Sequence, residues 1–294
     1  MGSEMCIRDR SCTGAFTIAG SSGIVTVADT SAIDYESATS CTITVRATSA
    51  DGSTADTTFT VTIVDADEFD VGSASDTDSD ANTLAEDASN GASAEITASA
   101  TDADGTTNTV TYAISGQSCT GAFAIGSSSG AVTVADTTAI DYESGTTCTI
   151  DVTATSADGS TSATTFTVTL TDANDQTPTY TSADTTPSVA EGTTAVETVA
   201  ITDTDAGDSN TCALAGQDSS LFTCTVSATE YSLAFTSAQD YESPLDAGAD
   251  NTYIVYVTIS DGANTGSTVQ YAVSVTDVDE TDVGATTDLS LIHI

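Results

Sequence analysis

Residues 141–154 read Asp-Tyr-Glu-Ser-Gly-Thr-Thr-Cys-Thr-Ile-Asp-Val-Thr-Ala, an acidic pair around a tyrosine followed by a segment of alternating apolar residues. Alternation places Ile150, Val152 and Ala154 on one face of a half-buried strand. The pattern recurs 107 residues upstream, where Asp34-Tyr35-Glu36 precedes Ile43, Val45 and Ala47, and the tripeptide returns 99 residues downstream as Asp240-Tyr241-Glu242. Cys119 to Phe123 repeats Cys12 to Phe16, and Phe166, Val168 and Leu170 repeat Phe59, Val61 and Ile63. A period of about 100 residues is too long for a solenoid unit and fits tandem, self-contained domains.

Within each unit the Thr- and Val-rich, period-two segments predict antiparallel strands. Asp51-Gly52, Asp158-Gly159 and Asp261-Gly262 mark the turn between the last two strands of each. The third unit keeps the frame with Tyr253 to Ile259 and Tyr271 to Val275. No convincing helical stretch of ten or more residues is visible. The predicted fold class is all-β, a linear series of β-sandwiches.

The acidic positions narrow the choice. Asp172-Ala173-Asn174-Asp175 is followed by Pro178, then by Ala190-Glu191-Gly192, Asp203-Thr204-Asp205 with Asn210, Asp240-Tyr241-Glu242 and Ser260-Asp261-Gly262. Glu, DxD, DxE and AxD-type sites in this order, with a DxND linker, resemble the cadherin repeat, and the resemblance runs over residues 11 to 281. It implies Greek-key, immunoglobulin-like sandwiches with Ca2+ held at each domain junction. At the second junction the matching residues are Glu86, Asp141 and Glu143, then Asp172, Asn174 and Asp175 of the linker, then Asp203, Asp205, Asn210 and Asp261. At the first they are Asp34, Glu36, Asp65, Asp67 and Glu68, then Asp102, Asp104, Asn108 and Asp158. That linker reads Asp-Ala-Asp-Glu with no proline after it, which leaves open whether its site is full. Glu191, Asp240 and Glu242, with Asp277, Asp279 and Glu280, would serve a junction with a further domain. Calcium suits such a set, because it takes six to eight oxygen ligands, mainly carboxylates and carbonyls. Clustered carboxylates without a cation would repel one another.

The expected division is a partial repeat over 11–69 and repeats over 70–177 and 178–282, with 1–10 and 283–294 outside them. Residues 5–10 and 289–294 can be encoded by inverted copies of one short DNA element resembling a sequencing-library adaptor. We therefore set 1–10 and 289–294 apart from fold reasoning, as one would an expression scar. They carry both methionines, Cys6, two of the three basic residues and the one histidine, leaving Arg46 as the sole basic side chain elsewhere. The first unit then lacks its early strands and is expected to be only partly ordered.

The net charge is −41 on 294 residues, which excludes binding to a nucleic acid backbone and disfavours anionic membrane surfaces. No apolar run approaches the length that spans a bilayer. Six cysteines fall as pairs, Cys12 with Cys41 and Cys119 with Cys148, each 29 apart, and Cys212 with Cys224, which could clip a hairpin. One pair per unit indicates disulfides in an oxidising compartment, and reduced buried cysteine is the alternative. Catalysis is the weakest reading, since histidine and lysine are effectively absent and the same carboxylate pairs recur in every unit. The leading expectation is an extracellular calcium-binding array acting in adhesion or as a stiff surface stalk. Its partners would be calcium ions and another adhesion protein, a copy of itself or a surface glycan, with no membrane insertion by these residues. With no tryptophan, strand-swapped homophilic contact is not supported. The alternative is a carbohydrate-binding or bacterial immunoglobulin-like sandwich using Tyr35, Tyr142 and Tyr241 as stacking platforms. Tyrosines flanked by ligands are expected instead to pack at a domain edge and orient the loop.

Overall fold

The structure is a computed structural model describing residues 4–9, 11–181, 183–205, 207 and 209–279. It divides into two compact units, 1–171 and 172–294. The first unit contains β1 (Glu4–Asp9), β2 (Phe16–Ile18), β3 (Val25–Val27), β4 (Ser40–Thr48) and β5 (Thr54–Thr62). It continues with β6 (Ser75–Asp76), β7 (Thr83–Ala85), β8 (Ser93–Ser99), β9 (Thr111–Gln117), β10 (Phe123–Ile125), β11 (Ala131–Val134), β12 (Thr147–Thr155) and β13 (Thr161–Thr171). The second unit holds β14 (Thr179–Tyr180), β15 (Ser188–Ala190), β16 (Ala195–Thr202), β17 (Thr211–Ala215), β18 (Phe222–Val226), β19 (Glu230–Phe235), β20 (Thr252–Ser260) and β21 (Thr265–Thr276). Among the described residues the helical content is three short 3-10 turns, at Thr30–Ala32, Thr137–Ala139 and Ser219–Leu221.

Residues 74–170 build a sandwich from two four-stranded sheets, β10-β11-β8-β6 and β7-β13-β12-β9. The alternation that predicted strand β12 also fills the core, where Cys148, Ile150, Val152 and Ala154 are fully buried. Val168 and Leu170 of β13 meet Ile96 of β8 and Val132 of β11 across it. Each such aliphatic side chain contributes about 1.5–3 kcal/mol on burial, while the intervening threonines face solvent. The β12–β13 turn needs Gly159 at φ +100°, a conformation that L side chains rarely adopt. The second unit repeats the plan with β14-β16-β19-β18 and β15-β21-β20-β17, and in both sandwiches the strand before the buried Glu joins the last strand in parallel. Its core centres on Tyr231, Tyr253 and Tyr271, all fully buried. The Tyr231 and Tyr271 hydroxyls satisfy each other at 2.6 Å, and burial drives the Tyr271 hydroxyl far above its usual acidity range.

Two expectations change. Residues 4–9, set apart as foreign to the fold, form a strand on the edge of β4, in the sheet β1-β4-β5. Ile7 faces Val45 as Ile114 faces Val152, so β1 occupies the place that β9 holds in the next repeat. The physical reason is that β4 exposes a row of backbone groups and an extended segment with apolar residues at alternate positions can pair with it. The second change concerns Cys212 and Cys224, which are bonded but do not clip a hairpin. They join β17 to β18, edge strands of the two different sheets. The Cys12–Cys41 and Cys119–Cys148 bridges form as paired in the sequence. No described helix is long and apolar enough to cross a membrane.

Candidate metal centre

The acidic residues are fixed by hydrogen bonds that repeat from unit to unit. Asp34 accepts the Ser37 N–H at 3.1 Å and its hydroxyl at 2.7 Å, and Asp141 does the same with Ser144 at 3.0 and 2.7 Å. These bonds hold both carboxyls below the usual aspartate range, the serine hydroxyl contributing most. Glu86, buried, accepts the Tyr142 N–H at 2.5 Å. Glu191, also buried, accepts the Tyr241 N–H at 2.8 Å and the Val278 N–H at 2.7 Å, which lowers its pKa. A Glu at the end of one strand thus pins the DYE loop of the same module.

The first linker lies within unit 1–171, and there the structure brings predicted residues together. Carboxylate oxygens of Glu36, Asp65 and Glu68 lie within 4.8 Å of one another, as do those of Asp67, Asp104 and Asp158. Asp104 is only 1% exposed, and its Oδ1 accepts the Glu68 and Phe69 N–H groups, both at 3.3 Å. Asp65 Oδ1, Asp102 Oδ2 and Asp104 Oδ2 are buried without a hydrogen-bond partner. Burial and then neighbouring carboxylates raise the pKa of Asp67 and of Glu68, the neighbour acting most on Glu68 being Glu36. Such a group is electrostatically uncomfortable as it stands, and its orphan oxygens are the kind a hard cation satisfies. Asn108 is brought in differently, its amide donating to the Asp104 carbonyl at 2.7 Å and bracing the DxD turn.

In the second unit Asp205, 8% exposed, accepts the Gln176 N–H at 2.9 Å, the counterpart of the Phe69 bond to Asp104. Asp261 Oδ1 accepts the Ala263 and Asn264 N–H groups, and its Oδ2 is buried without a partner, as is Asn210 Oδ1. Asn264 donates to Asn174 Oδ1 at 2.9 Å and to the Gln176 carbonyl at 3.0 Å, tying the linker after Asp172 to the β20–β21 turn. Asp203 Oδ1 accepts the Asp205 N–H at 3.4 Å. Glu143 lies beside Asp141 in the DYE loop of its own unit. Asp240 accepts the Glu242 N–H at 3.0 Å, and Asp277 and Asp279 are exposed beyond β21. Glu280 lies outside the described residues.

Sequence reasoning missed the second layer of the first linker. Gly105 donates its N–H to Glu36 at 3.0 Å, and Thr106 donates its hydroxyl to Asp65 at 2.5 Å. A Cβ at Gly105 would sit 2.6 Å from the Tyr35 ring, so that ring packs directly against the glycine. Tyr35 is therefore a packing residue of the linker and not an open stacking platform. The signal available in the sequence was weak, since a glycine after DxD is common in any acidic turn.

The family model of the Cadherin domain matches residues 80–171. Among solved structures, mouse cadherin-23 EC22-24 superposes with a TM-score of 0.71 at 22% identity, covering 94% of this chain and 86% of that one. Protocadherin gammaB7 EC3-6, described as a cis-dimer, gives 0.71 at 20% identity over 94% of this chain and 68% of that one. The human desmocollin-1 ectodomain gives 0.56 at 18% identity, and this chain, 95% covered, spans 56% of its length. At these identities the likeness is one of fold. No curated protein matches the chain by sequence. The chain is thus an array of tandem cadherin-like β-sandwiches, with a cadherin domain at 80–171.

Proposed function

We propose that this chain is part of an extracellular array that binds calcium at its linkers and acts in cell adhesion or as a calcium-stiffened surface stalk. The observation that carries the reading is the first linker, where buried, partnerless carboxylate oxygens of Asp65, Asp102 and Asp104 converge beside Glu36, Glu68, Asp67 and Asp158. With Arg46 paired to Asp56 at 2.6 Å, no lysine or arginine answers that charge among the described residues outside β1. Calcium supplies a hard, oxygen-seeking charge, and these residues would hold it. The aspartate and glutamate side chains come from both sides of residues 65–68, so a shared ion fixes the modules it joins. Binding to the folded form alone stabilises it by linkage. The Asp-Ala-Asp-Glu linker supports the same reading, since Asp67 stands where Asn174 stands in the next linker and Phe69 makes the bond that Gln176 makes there. Three disulfides and the adhesion proteins among the structural neighbours support an extracellular setting.

Small-angle scattering of the full chain in calcium and in chelator tests the proposal. An extended rod that becomes flexible in chelator supports it, and identical profiles would refute calcium bridging. Sedimentation in calcium separates the two roles: self-association favours adhesion, and a monomer at all concentrations favours the stalk.

A further inference from the structure

Three aspartates at the first linker share one arrangement. Asp65 Oδ2 accepts the Thr106 hydroxyl at 2.5 Å, and its Oδ1 is buried without a partner. Asp102 Oδ1 accepts the Asp104 N–H at 3.1 Å, and its Oδ2 is buried without a partner. Asp104 Oδ1 accepts the Glu68 and Phe69 N–H groups, and its Oδ2 is again the orphan. In each carboxylate a protein donor takes one oxygen and leaves the other for a ligand. For Asp102 and Asp104 the donors are backbone N–H groups, which every residue but proline supplies. For Asp65 the donor is a side-chain hydroxyl, 41 residues away in the DxD turn of the next module. Gly105, beside it, donates its N–H to Glu36 at 3.0 Å. The two residues after the DxD thus reach back across the linker and fix one carboxylate each. In the following module Asp205 is succeeded by Ala206 and Gly207, so the place of Thr106 carries no hydroxyl there. The hydroxyl brace is a feature of the first linker and not of the repeat.

Given the calcium reading above, on which this rests, we propose that Thr106 is a positioning residue that sets the cation specificity of the first linker. Its hydroxyl holds Asp65 as a one-oxygen ligand in a fixed place, so the three free oxygens form a frame set before the ion arrives. A preset frame lowers the ordering cost of binding. It also discriminates by size. Calcium accepts oxygens at about 2.3–2.6 Å in flexible geometry, whereas magnesium demands near-octahedral oxygens at about 2.0–2.1 Å. To serve magnesium directly, Asp65 would have to move inward against the Thr106 bond. Deleting the hydroxyl removes both the preset frame and that resistance.

The test uses the full, isotope-labelled chain and the amide resonance of Gly105, which reports this linker because its N–H is bonded to Glu36. Calcium and magnesium are titrated separately into the parent, Thr106→Val and Thr106→Ser. Thr106 is exposed, and valine keeps its branched shape while deleting the donor. Thr106→Val should weaken calcium binding about tenfold while magnesium binding changes less than about threefold, so the preference for calcium narrows. Thr106→Ser keeps the hydroxyl and should restore calcium affinity to within about threefold of the parent. Equal weakening for both ions would overturn the proposal, since the hydroxyl would then serve the fold and not the selection. Unchanged calcium affinity in Thr106→Val, or a serine that fails to rescue, would overturn it as well. A parent whose Gly105 resonance ignores calcium sinks the calcium reading and this assignment with it. A parent that responds, with Thr106→Val indistinguishable from it, sinks the assignment alone.

Discussion

Asp104→Asn separates a cation-binding role for the first linker from a merely structural one. Asparagine keeps the Oδ1 acceptor that Asp104 offers to the Glu68 and Phe69 N–H groups at 3.3 Å, so the turn survives. It removes one charge from a group whose oxygens lie within 4.8 Å of each other. At that separation a like-charge pair repels by about 0.9 kcal/mol in a water-like dielectric. Weakening two long charge-assisted bonds to neutral ones offsets on the order of half of that gain. In chelator the variant should therefore be as stable as the parent, or more stable by up to about 1 kcal/mol. In calcium the sign reverses, because one charged ligand of the group is lost. A tenfold loss of affinity alone removes about 1.4 kcal/mol of linkage stabilisation. Denaturant unfolding of parent and variant in both conditions closes a cycle between mutation and metal. The expected coupling is at least about 1.4 kcal/mol. Equal effects of the mutation in calcium and in chelator would refute the reasoning, since Asp104 would then be a buried structural carboxylate and no more.

Gly105→Ala drives a Cβ to 2.6 Å from the Tyr35 ring and 3.1 Å from Glu36 Oε1, so it should lower calcium affinity at this linker by about one order of magnitude, read by calcium titration. In chelator the displaced Tyr35 ring should cost on the order of 1 kcal/mol of stability, and the loss in calcium should exceed that. Asp67 and Glu68 have pKa values raised in the folded state, so their unfavourable contribution in chelator grows as pH rises from the ordinary carboxylate range through those folded values. Asp34 and Asp141, lowered by their serines, contribute above the ordinary range and lose that contribution as pH falls through their folded values. Denaturation midpoints in chelator should therefore peak near about pH 4–5 and decline toward neutrality, and calcium should abolish the decline. A midpoint rising steadily to pH 7 in chelator would contradict this. Replacing Cys119 and Cys148 with serine opens a 29-residue loop and should cost up to about 3.6 kcal/mol by chain entropy, lowering Tm by up to roughly 15–30 °C.

Much of the fold was legible because the strands that build the core are long and regular. In β4, β12, β20 and the later halves of β5 and β13, every second residue is apolar, and the partner strand lies across a short Asp-Gly turn. Local pattern and tertiary pairing agree there, so reading one gives the other. The short strands were opaque for the converse reason. β6 and β14 are two residues each, and β7 and β15 are three, too few for a period to show. Their placement follows from tertiary partners such as β13 and β21. The Cys212–Cys224 bridge misled for a related reason: 12 residues is a hairpin's span, but here the chain crosses from one sheet to the other between the two cysteines.

The linker shows a different limit. Carboxylates were legible as an ordered series, because aspartate and glutamate are the residues that offer oxygens to a hard cation and nothing in a strand calls for them at fixed spacing. What positions them was not legible. Gly105 and Gln176 act through backbone N–H groups, which every residue but proline possesses, and Asn264 acts through an amide that any loop could carry. The departure at 65–68 makes the point sharply. Reading Asp-Ala-Asp-Glu against Asp-Ala-Asn-Asp left open whether the site is full, and the backbone bond to the second aspartate of DxD is kept by Phe69 as it is by Gln176. That bond is preserved and the charge is increased, since Asp67 stands in place of a neutral asparagine. More charge in the same frame raises both the repulsion without metal and the attraction for it. The first linker should therefore depend on calcium more steeply than a linker built on Asn174, and Asp67→Asn should move it toward the milder behaviour by stabilising the chelated protein while weakening calcium binding.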